Sequence, residues 1–566
     1  LLLGQGYEGL GLQEKAIIAF RTLYVQFPAS PEANRAAARI EAWLPPERRF
    51  PGGLTLSERL ERADRLAEAA ECARAMPEVQ RLSPDSLPHD LQARAIARLG
   101  LCAFKLRRYS EAAATLERFR QALVADERAA EALYVLGAAR QRERRMAEAE
   151  QVFLQLAARE PATSWNAKAL VALGSLYEGR QDTTQAIAAY TQLTTRFPGD
   201  DRADEMAWRI GWLRYGRQLF GAAVGDFATA ADRFPRSMFV SNALYWQAKA
   251  LERSGESAQA TALYERVAQA YPYTYYGIRA MEVALARAPL RNAPGDDSIA
   301  ANTRVHLAPA RKRTVELTLA PAATFHRIRV EELLALRFMG EAREELLHLA
   351  KRLGEGFPEQ MFLARLYLAL GLTSQAIRAL NAVLASLTPS ERLDLPDAFW
   401  KLLFPQFYWE AIQDGARLTQ LDPLLVMGVI RQESAFNPRA ISRSDARGLM
   451  QLLPSTGQEI FQRLGLGAFR GDVLFDPRIN VRLGTHYLAR LATAHQGNLI
   501  PTLAAYNAGP TRVKRWLQEV RFADWDEFIE NLPFEETRGY VKNVLRNYGV
   551  YRRLYALGNE TTDEHR

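Results

Sequence analysis

Apolar positions recur at long range in the first half of the chain. Ala149, Phe153, Leu156 and Pro161 return as Ala186, Tyr190, Leu193 and Pro198, then as Ala223, Phe227, Ala230 and Pro235, then as Ala260, Tyr264, Val267 and Pro272, each step being 37 residues. Ala16, Phe20, Leu23 and Pro28 carry the same pattern at the start, and Ala112, Leu116 and Phe119 carry a weaker copy. Within each unit a small residue and a bulky one four later share a helix face, so neighbouring helices can approach where the side chain is small and be filled where it is large. The proline ends the second helix. Such pairs cannot bury their faces alone, so the pattern predicts a curved stack whose concave side is available for contacts.

The spacing resembles the tetratricopeptide repeat, whose usual period is about 34 residues. The longer step implies an extended turn, and the periodic aromatics are expected as core packing, not as a ligand-stacking stripe. The array is expected to occupy residues 1–287 and to close at Tyr271-Pro272-Tyr273-Thr274-Tyr275-Tyr276-Gly277. Those four tyrosines read as an end cap, with a sugar-facing surface as the alternative. Between Ala288 and Thr324 the helical pattern fails at Pro289, Pro294, Gly295, Pro309 and Pro321, and Arg311-Lys312-Arg313 adds a basic cluster. That stretch predicts a long loop, with a short strand at Val315–Leu319. Helical periodicity resumes at Val330 and runs through Leu384, so residues 288–400 are expected to be a linker loop and a bridging helical block.

Composition narrows the class. At 566 residues the chain is too long for one core, 48% of it is apolar, and no run of about eighteen uncharged apolar residues predicts a membrane span. The chain begins Leu1-Leu2-Leu3-Gly4 inside a helical pattern, so a removed export signal is compatible with it. Cys72 and Cys102 lie in helical segments and are expected as small core residues; neither a disulfide framework nor a metal site is predicted. A net charge of +8 favours acidic partners, but the arginines are spread at helical intervals, as solvated helix faces would spread them, and no nucleic-acid motif is present.

The chemistry concentrates in residues 401–566. Asp422-Pro423 starts a helix, with Asp as cap and Pro at the first position, and the helix runs through Leu424–Arg431. Glu433 ends it. Val426, Val429 and Ile430 stand at helical offsets from Glu433, so the carboxylate extends the apolar stripe. A carboxyl group placed there loses solvation, which raises its pKa toward the range where it stays protonated near neutrality and can donate to a leaving glycosidic oxygen. A solvated glutamate at a fraying helix end is the alternative.

Four ordered motifs surround it: Arg431-Gln432-Glu433-Ser434-Ala435-Phe436-Asn437-Pro438 followed by Ser442; Gly448-Leu449-Met450-Gln451-Leu452-Leu453-Pro454; Ala504-Ala505-Tyr506-Asn507-Ala508-Gly509-Pro510; and Glu536-Thr537-Arg538-Gly539-Tyr540-Val541. Through them the domain resembles the soluble lytic transglycosylases, a family with a goose-type lysozyme-like fold. The resemblance covers about residues 401–556 at motif level, and a preceding helical superhelix is similar to the family's large periplasmic members. The expected fold is therefore all-α: a tetratricopeptide-like superhelix followed by a lysozyme-like, mainly α catalytic domain.

The resemblance implies that Glu433 is the sole acid/base. It would protonate the oxygen between N-acetylmuramic acid and N-acetylglucosamine, then accept the proton of the muramic C6 hydroxyl as a 1,6-anhydro ring closes, with the substrate's acetamido oxygen replacing a carboxylate nucleophile. It further implies that Ser442 orients the acetamido group, that Gly448, Met450, Gln451 and Leu453 belong to the substrate pocket, that Tyr506 stands against the acid or the acetamido group with Asn507 beside it as a substrate-binding residue, and that Glu536 lines the groove. Leu453 departs from a methionine found in some members. Asp445 stands where many relatives have glycine, which leaves a lysozyme-like hydrolase, with Asp445 positioning water, as an alternative beside a non-catalytic glycan-binding scaffold. No cofactor is implied. The partners implied are peptidoglycan glycan strands and, through the repeats, cell-wall proteins, in the periplasm or cell envelope.

Overall fold

Why the 37-residue step works is visible at the residue that precedes each aromatic by sixteen positions. In the computed structural model, which describes residues 1–41, 43, 45, 53–122, 127–160, 162–287 and 320–555, Phe153, Tyr190, Phe227 and Tyr264 are fully buried. Three of these rings lie on a glycine of the preceding helix. A Cβ on Gly137, Gly174 or Gly211 would stand 2.6, 2.1 and 2.6 Å from the ring of Phe153, Tyr190 and Phe227. Gly4 under Phe20 repeats the arrangement, and Gly100 sits under Leu116 in the weaker copy. The alanines read from the sequence are buried as well, and the glycines beneath the rings are small residues that the motif did not include.

This makes a sharp prediction. The ring of Tyr190 cannot swing away from Gly174, because its hydroxyl donates to Glu178 Oε1 at 2.7 Å. Gly174→Ala is expected to cost about 1–3 kcal/mol through overpacking, despite the better helix propensity of alanine. Gly179→Ala, on the same helix but with open space around it, should be neutral or slightly stabilising; urea denaturation of the two variants measures the difference.

The described residues are helical almost throughout, with no β-ladder among them; two isolated antiparallel bridges, Ile441–Arg447 and Arg447–Leu452, are the strand-like pairs. The chain divides into two compact units, Leu1–Phe234 and Pro235–Arg566. The first contains repeat helices from Leu2–Gly9 to Phe220–Arg233. In it Cys72 and Cys102 are buried and unlinked by a disulfide.

The second unit holds Val240–Arg253, Ser257–Ala270 and Tyr275–Arg287, the bridging helices from Pro321–Ala335 to Asp397–Leu403, and the helices from Trp409–Thr419 onward. The four tyrosines are packed inside this unit. Tyr273 stacks on Trp400 at 3.5 Å between centroids, and Tyr275 and Tyr276 are buried. They face the helices Trp525–Glu530 and Glu535–Tyr555 and the bridging block, so they close the array against its neighbours and are not a sugar-facing surface. Residues 288–319, with the basic cluster and the expected strand, lie outside the described residues, as does Pro161.

Candidate active site

Asp422 starts the acid-bearing helix Pro423–Ser434 as its composition requires: Oδ1 accepts the amide of Leu424 at 2.8 Å, and Pro423 occupies the first turn. The other carboxylate oxygen accepts the hydroxyl of Tyr548 at 2.6 Å. Tyr548 belongs to the long helix Glu535–Tyr555, which packs along the acid helix with Gly428 at the crossing; a Cβ on Gly428 would stand 3.1 Å from the Tyr548 amide nitrogen. Arg431, buried in the same crossing, donates to Leu403 O and to Asn547 Oδ1 and lies 4.0 Å over the Phe404 ring. Arg431 therefore fixes the helix and takes no part in the open face.

The helix stops immediately after Glu433-Ser434. Ala435 and Phe436 both take left-handed backbone angles, φ +48° and +63°, and between 435 and 451 Asp445, Gly448 and Gln451 do likewise. Four of these five are not glycine. Left-handed backbone costs such residues energy, and its concentration beside one carboxylate marks a place where position outranks local comfort.

Glu433 is partly exposed, as an acid must be to meet a substrate, yet its carboxyl is crowded. Burial pushes its pKa up to about 7; the Tyr540 hydroxyl, which donates to Oε1 at 2.7 Å, pulls the other way, and the charge of Glu536 adds to the rise. Tyr540 is itself buried, and burial together with the Glu433 charge holds its phenol well above the ordinary value, so it stays a donor. The residue that bonds the acid is thus Tyr540. It sits inside the last motif but had no role assigned from the sequence.

Tyr506, expected against the acid or the bound acetamido group, donates to Met450 O at 2.8 Å. It remains near Glu433: burial and then the Glu433 charge push its phenol up. Asn507 Oδ1 accepts the hydroxyl of buried Thr537 at 2.8 Å, which ties the helix Leu499–Ala508 to the long helix. Met450 is fully buried, with its sulfur where a Cβ on Gly484 would stand, so it meets the site through its backbone. Gln451 uses its amide nitrogen on Ala440 O and Gly448 O, leaving Oε1 as the free end of that side chain. Leu453, 43% exposed, caps the start of the helix Pro454–Arg463.

Ser442 lies on an exposed loop. Its oxygen accepts the amides of Ser444 and Ala446, at 3.2 and 3.0 Å, so it shapes the loop while its own proton is left for another acceptor. Asp445 is paired side-on with Arg447 at 2.9 and 3.0 Å. Each of its oxygens accepts one of these bonds, and the side chain is about half exposed. Glu536 is exposed in the first turn of the long helix and reaches Glu433 by charge.

Gly448 is the hinge of the loop. It has φ +77°, and a Cβ there would meet Leu474 O at 2.1 Å and Asn480 Nδ2 at 2.3 Å. Asn480 is the hub that sequence reasoning missed. Fully buried on the helix Pro477–Ala494, it accepts the amide of Met450 at 2.8 Å and donates to Arg447 O at 3.0 Å and Leu474 O at 2.8 Å. Its signal in the sequence is slight, an amide in the first turn after Asp476-Pro477. Ser434 Oγ completes the clamp, 2.8 Å from Leu449 O. Among the described residues no cluster of histidine, cysteine, aspartate or glutamate suits a metal ion.

A repeat array with a lysozyme-like domain carrying one crowded glutamate is the class that fold and site define. Residues 410–529 match the Transglycosylase SLT domain family. Residues 168–200 and 242–272 match the tetratricopeptide repeat. Curated relatives include the soluble lytic murein transglycosylases of Salmonella typhimurium, 39% identical over 26% of this chain and 23% of the relative, and of Escherichia coli K12, 37% identical over 28% and 25%. The matched stretch thus spans about a quarter of these relatives. Among solved structures, the lytic transglycosylase Slt of Pseudomonas aeruginosa, an inactive mutant, aligns with 97% of this chain and 80% of its own at TM-score 0.61 and 23% identity. The 70-kDa soluble lytic transglycosylase in complex with bulgecin A aligns over the same shares at TM-score 0.61 and 22% identity. These likenesses extend the fold to the helical array.

Proposed function

We propose that this protein is a lytic transglycosylase that cleaves the β-1,4 bond between N-acetylmuramic acid and N-acetylglucosamine in peptidoglycan, leaving 1,6-anhydromuramyl ends. The observation that carries the reading is the state of Glu433: a partly exposed carboxyl with its pKa raised to about 7, held by a buried tyrosine. Such a group is protonated often enough to donate to a glycosidic oxygen and basic enough to take a proton back. Its neighbours offer little for a hydrolytic route, since Asp445 is committed to Arg447 and Glu536 is a solvated side chain whose charge opposes ionisation of Glu433. The acetamido oxygen of the substrate would attack C1 as the bond breaks. The C6 hydroxyl would then displace it and give its proton to Glu433, so no water enters.

Ser442, Gln451, Leu453, Tyr506, Asn507 and Glu536 are assigned to substrate contact or to the walls of the groove, Gly448 and Met450 to its backbone. Residues 401–566 form the catalytic domain, 288–400 the bridge and 1–287 the array. The substrate places the protein in the cell envelope; no helix of the described residues is long and apolar enough to cross a membrane. Mass spectrometry of digested purified peptidoglycan tests the reading. Anhydro-ended muropeptides are expected, and products heavier by one water, with reducing ends, would replace it with a lysozyme-like hydrolase.

A further inference from the structure

The long helix Glu535–Tyr555 is shared between two neighbours. Tyr540 points to Glu433, while Lys542, about 200° further round the helix, points to the closing helix of the repeat array. Lys542 Nζ lies 2.9 Å from the Tyr276 hydroxyl and 2.7–2.8 Å from the carboxylate of Glu530, to which Tyr276 also donates. Glu530, at the end of the helix Trp525–Glu530, is 4% exposed. The same short helix is held at its start. Asp526 accepts the Tyr245 hydroxyl at 2.7 Å, Arg279 Nε at 2.9 Å and Lys249 Nζ at 3.1 Å. Burial opposes its charge, but Arg279 and Lys249 beside it hold its pKa at about 2.

Farther along, a Cβ on Gly549 would stand 2.7 Å from Ile278, and Arg553 lies 5.3 Å from the Tyr273 ring. The long helix is thus pinned to the repeat at two levels. We propose that the closing helices of the array act on the reaction through Tyr276, Glu530 and Lys542, positioning residues that fix the rotation of the long helix at which Tyr540 reaches Glu433. A rotation of about 10° swings an atom about 8 Å from a helix axis by more than 1 Å. Directed along the bond, that displacement stretches a 2.7 Å hydrogen bond beyond its working range.

The inference rests on the proposed role of Glu433, but its test is independent of turnover. Glu433 is faced by Tyr540 and Glu536 on the long helix and by Tyr506 on Leu499–Ala508; Lys542 is faced by Tyr276, Glu530, Arg538 and Asp526. Losing the Tyr540 bond removes a donor to the carboxylate, so the Glu433 pKa must rise. The Glu433 titration is read in the full-length protein by the infrared carboxyl band that disappears in Glu433→Gln. Tyr540→Phe sets the full shift. Tyr276→Phe and Lys542→Met are expected to move the titration upward in the same sense by about half a pH unit or more, and Lys542→Arg to restore it. With peptidoglycan, kcat should fall about 3–10-fold while KM holds, and the basic limb of the pH profile should shift with the band. Tyr276→Phe removes one hydroxyl and decides the matter if Lys542→Met does not fold. An unmoved band, with lowered thermal stability alone, overturns the proposal. Wild-type protein that titrates as expected but leaves peptidoglycan intact overturns the proposed function and leaves the coupling standing.

Discussion

Glu433→Gln abolishes turnover: a loss of about 10³-fold or more is expected, because the amide keeps the shape of the side chain but can neither give nor take the proton. Glycan binding should survive, and the separation between lost kcat and retained affinity is the measurement that matters. The wild-type profile has a defined sign. The first step needs protonated Glu433, so kcat falls as pH rises through about 7. Stability follows the same group. Its folded pKa lies above the ordinary value of 4.5, so the folded protein binds more protons between about 4.5 and 7 and loses stability as pH rises across that window. The loss is at most about 3 kcal/mol, less to the extent that water screens the partly exposed carboxyl. Glu433→Gln does not ionise, so its melting temperature should exceed the wild-type value above pH 7 and match it more closely near pH 4. A variant that melts no higher at pH 8 would contradict the crowding described at this carboxyl.

Gly448→Ala is expected to do the second largest damage. The methyl group would enter the space of Leu474 O and Asn480 Nδ2 at a residue with φ +77°, which adds left-handed strain to overpacking. A destabilisation of about 3–5 kcal/mol is expected. Because Asn480 also carries the Met450 amide, and Met450 O carries Tyr506, the displacement spreads through the loop to the acid's surroundings. Activity at temperatures where the variant is folded should fall by about 10²-fold, as a shift near 1 Å allows. Asp445→Gly is the contrasting control. Its φ of +62° suits glycine, and it loses a half-solvated ion pair with Arg447. Stability should change by less than about 1 kcal/mol and the anhydro product should remain; reducing-end products made by the wild type and lost in Asp445→Gly would revive the hydrolase alternative.

The sequence was most legible where a signal is local or strictly periodic. Asp422-Pro423 announced its helix because capping is decided within four residues, and Phe153, Tyr190, Phe227 and Tyr264 announced the array because their spacing repeats. Gly137, Gly174 and Gly211 have the same period but no hydrophobic signature, so their role appears only when helices are placed against each other. The choice between Tyr506 and Tyr540 as the acid's partner had the same character. Both residues lie in motifs, but which hydroxyl arrives at Oε1 depends on how the long helix is rotated. Asn480 and Ser442 show the limit for polar groups: one amide in a helix's first turn is a hub, one hydroxyl on a loop bonds its own turn, and neither outcome is written in neighbouring letters. The tyrosines at 271–276 show the same limit, since an end cap, a sugar-facing surface and a docking surface have the same composition.

That docking surface limits how freely the lysozyme-like domain can be moved between proteins. A fragment beginning near residue 401 would carry Asp524, Asp526, Glu527 and Glu530 on one side without Tyr245, Lys249, Arg253, Tyr276 and Arg279, the groups that meet them in the intact chain. Excision turns a neutralised seam into an acidic ridge, with Lys542 left paired to Glu530. Transplanting the domain onto another repeat array would therefore require copying these ten side chains on two partners, and shuffling at this junction is restricted to parents that share the seam.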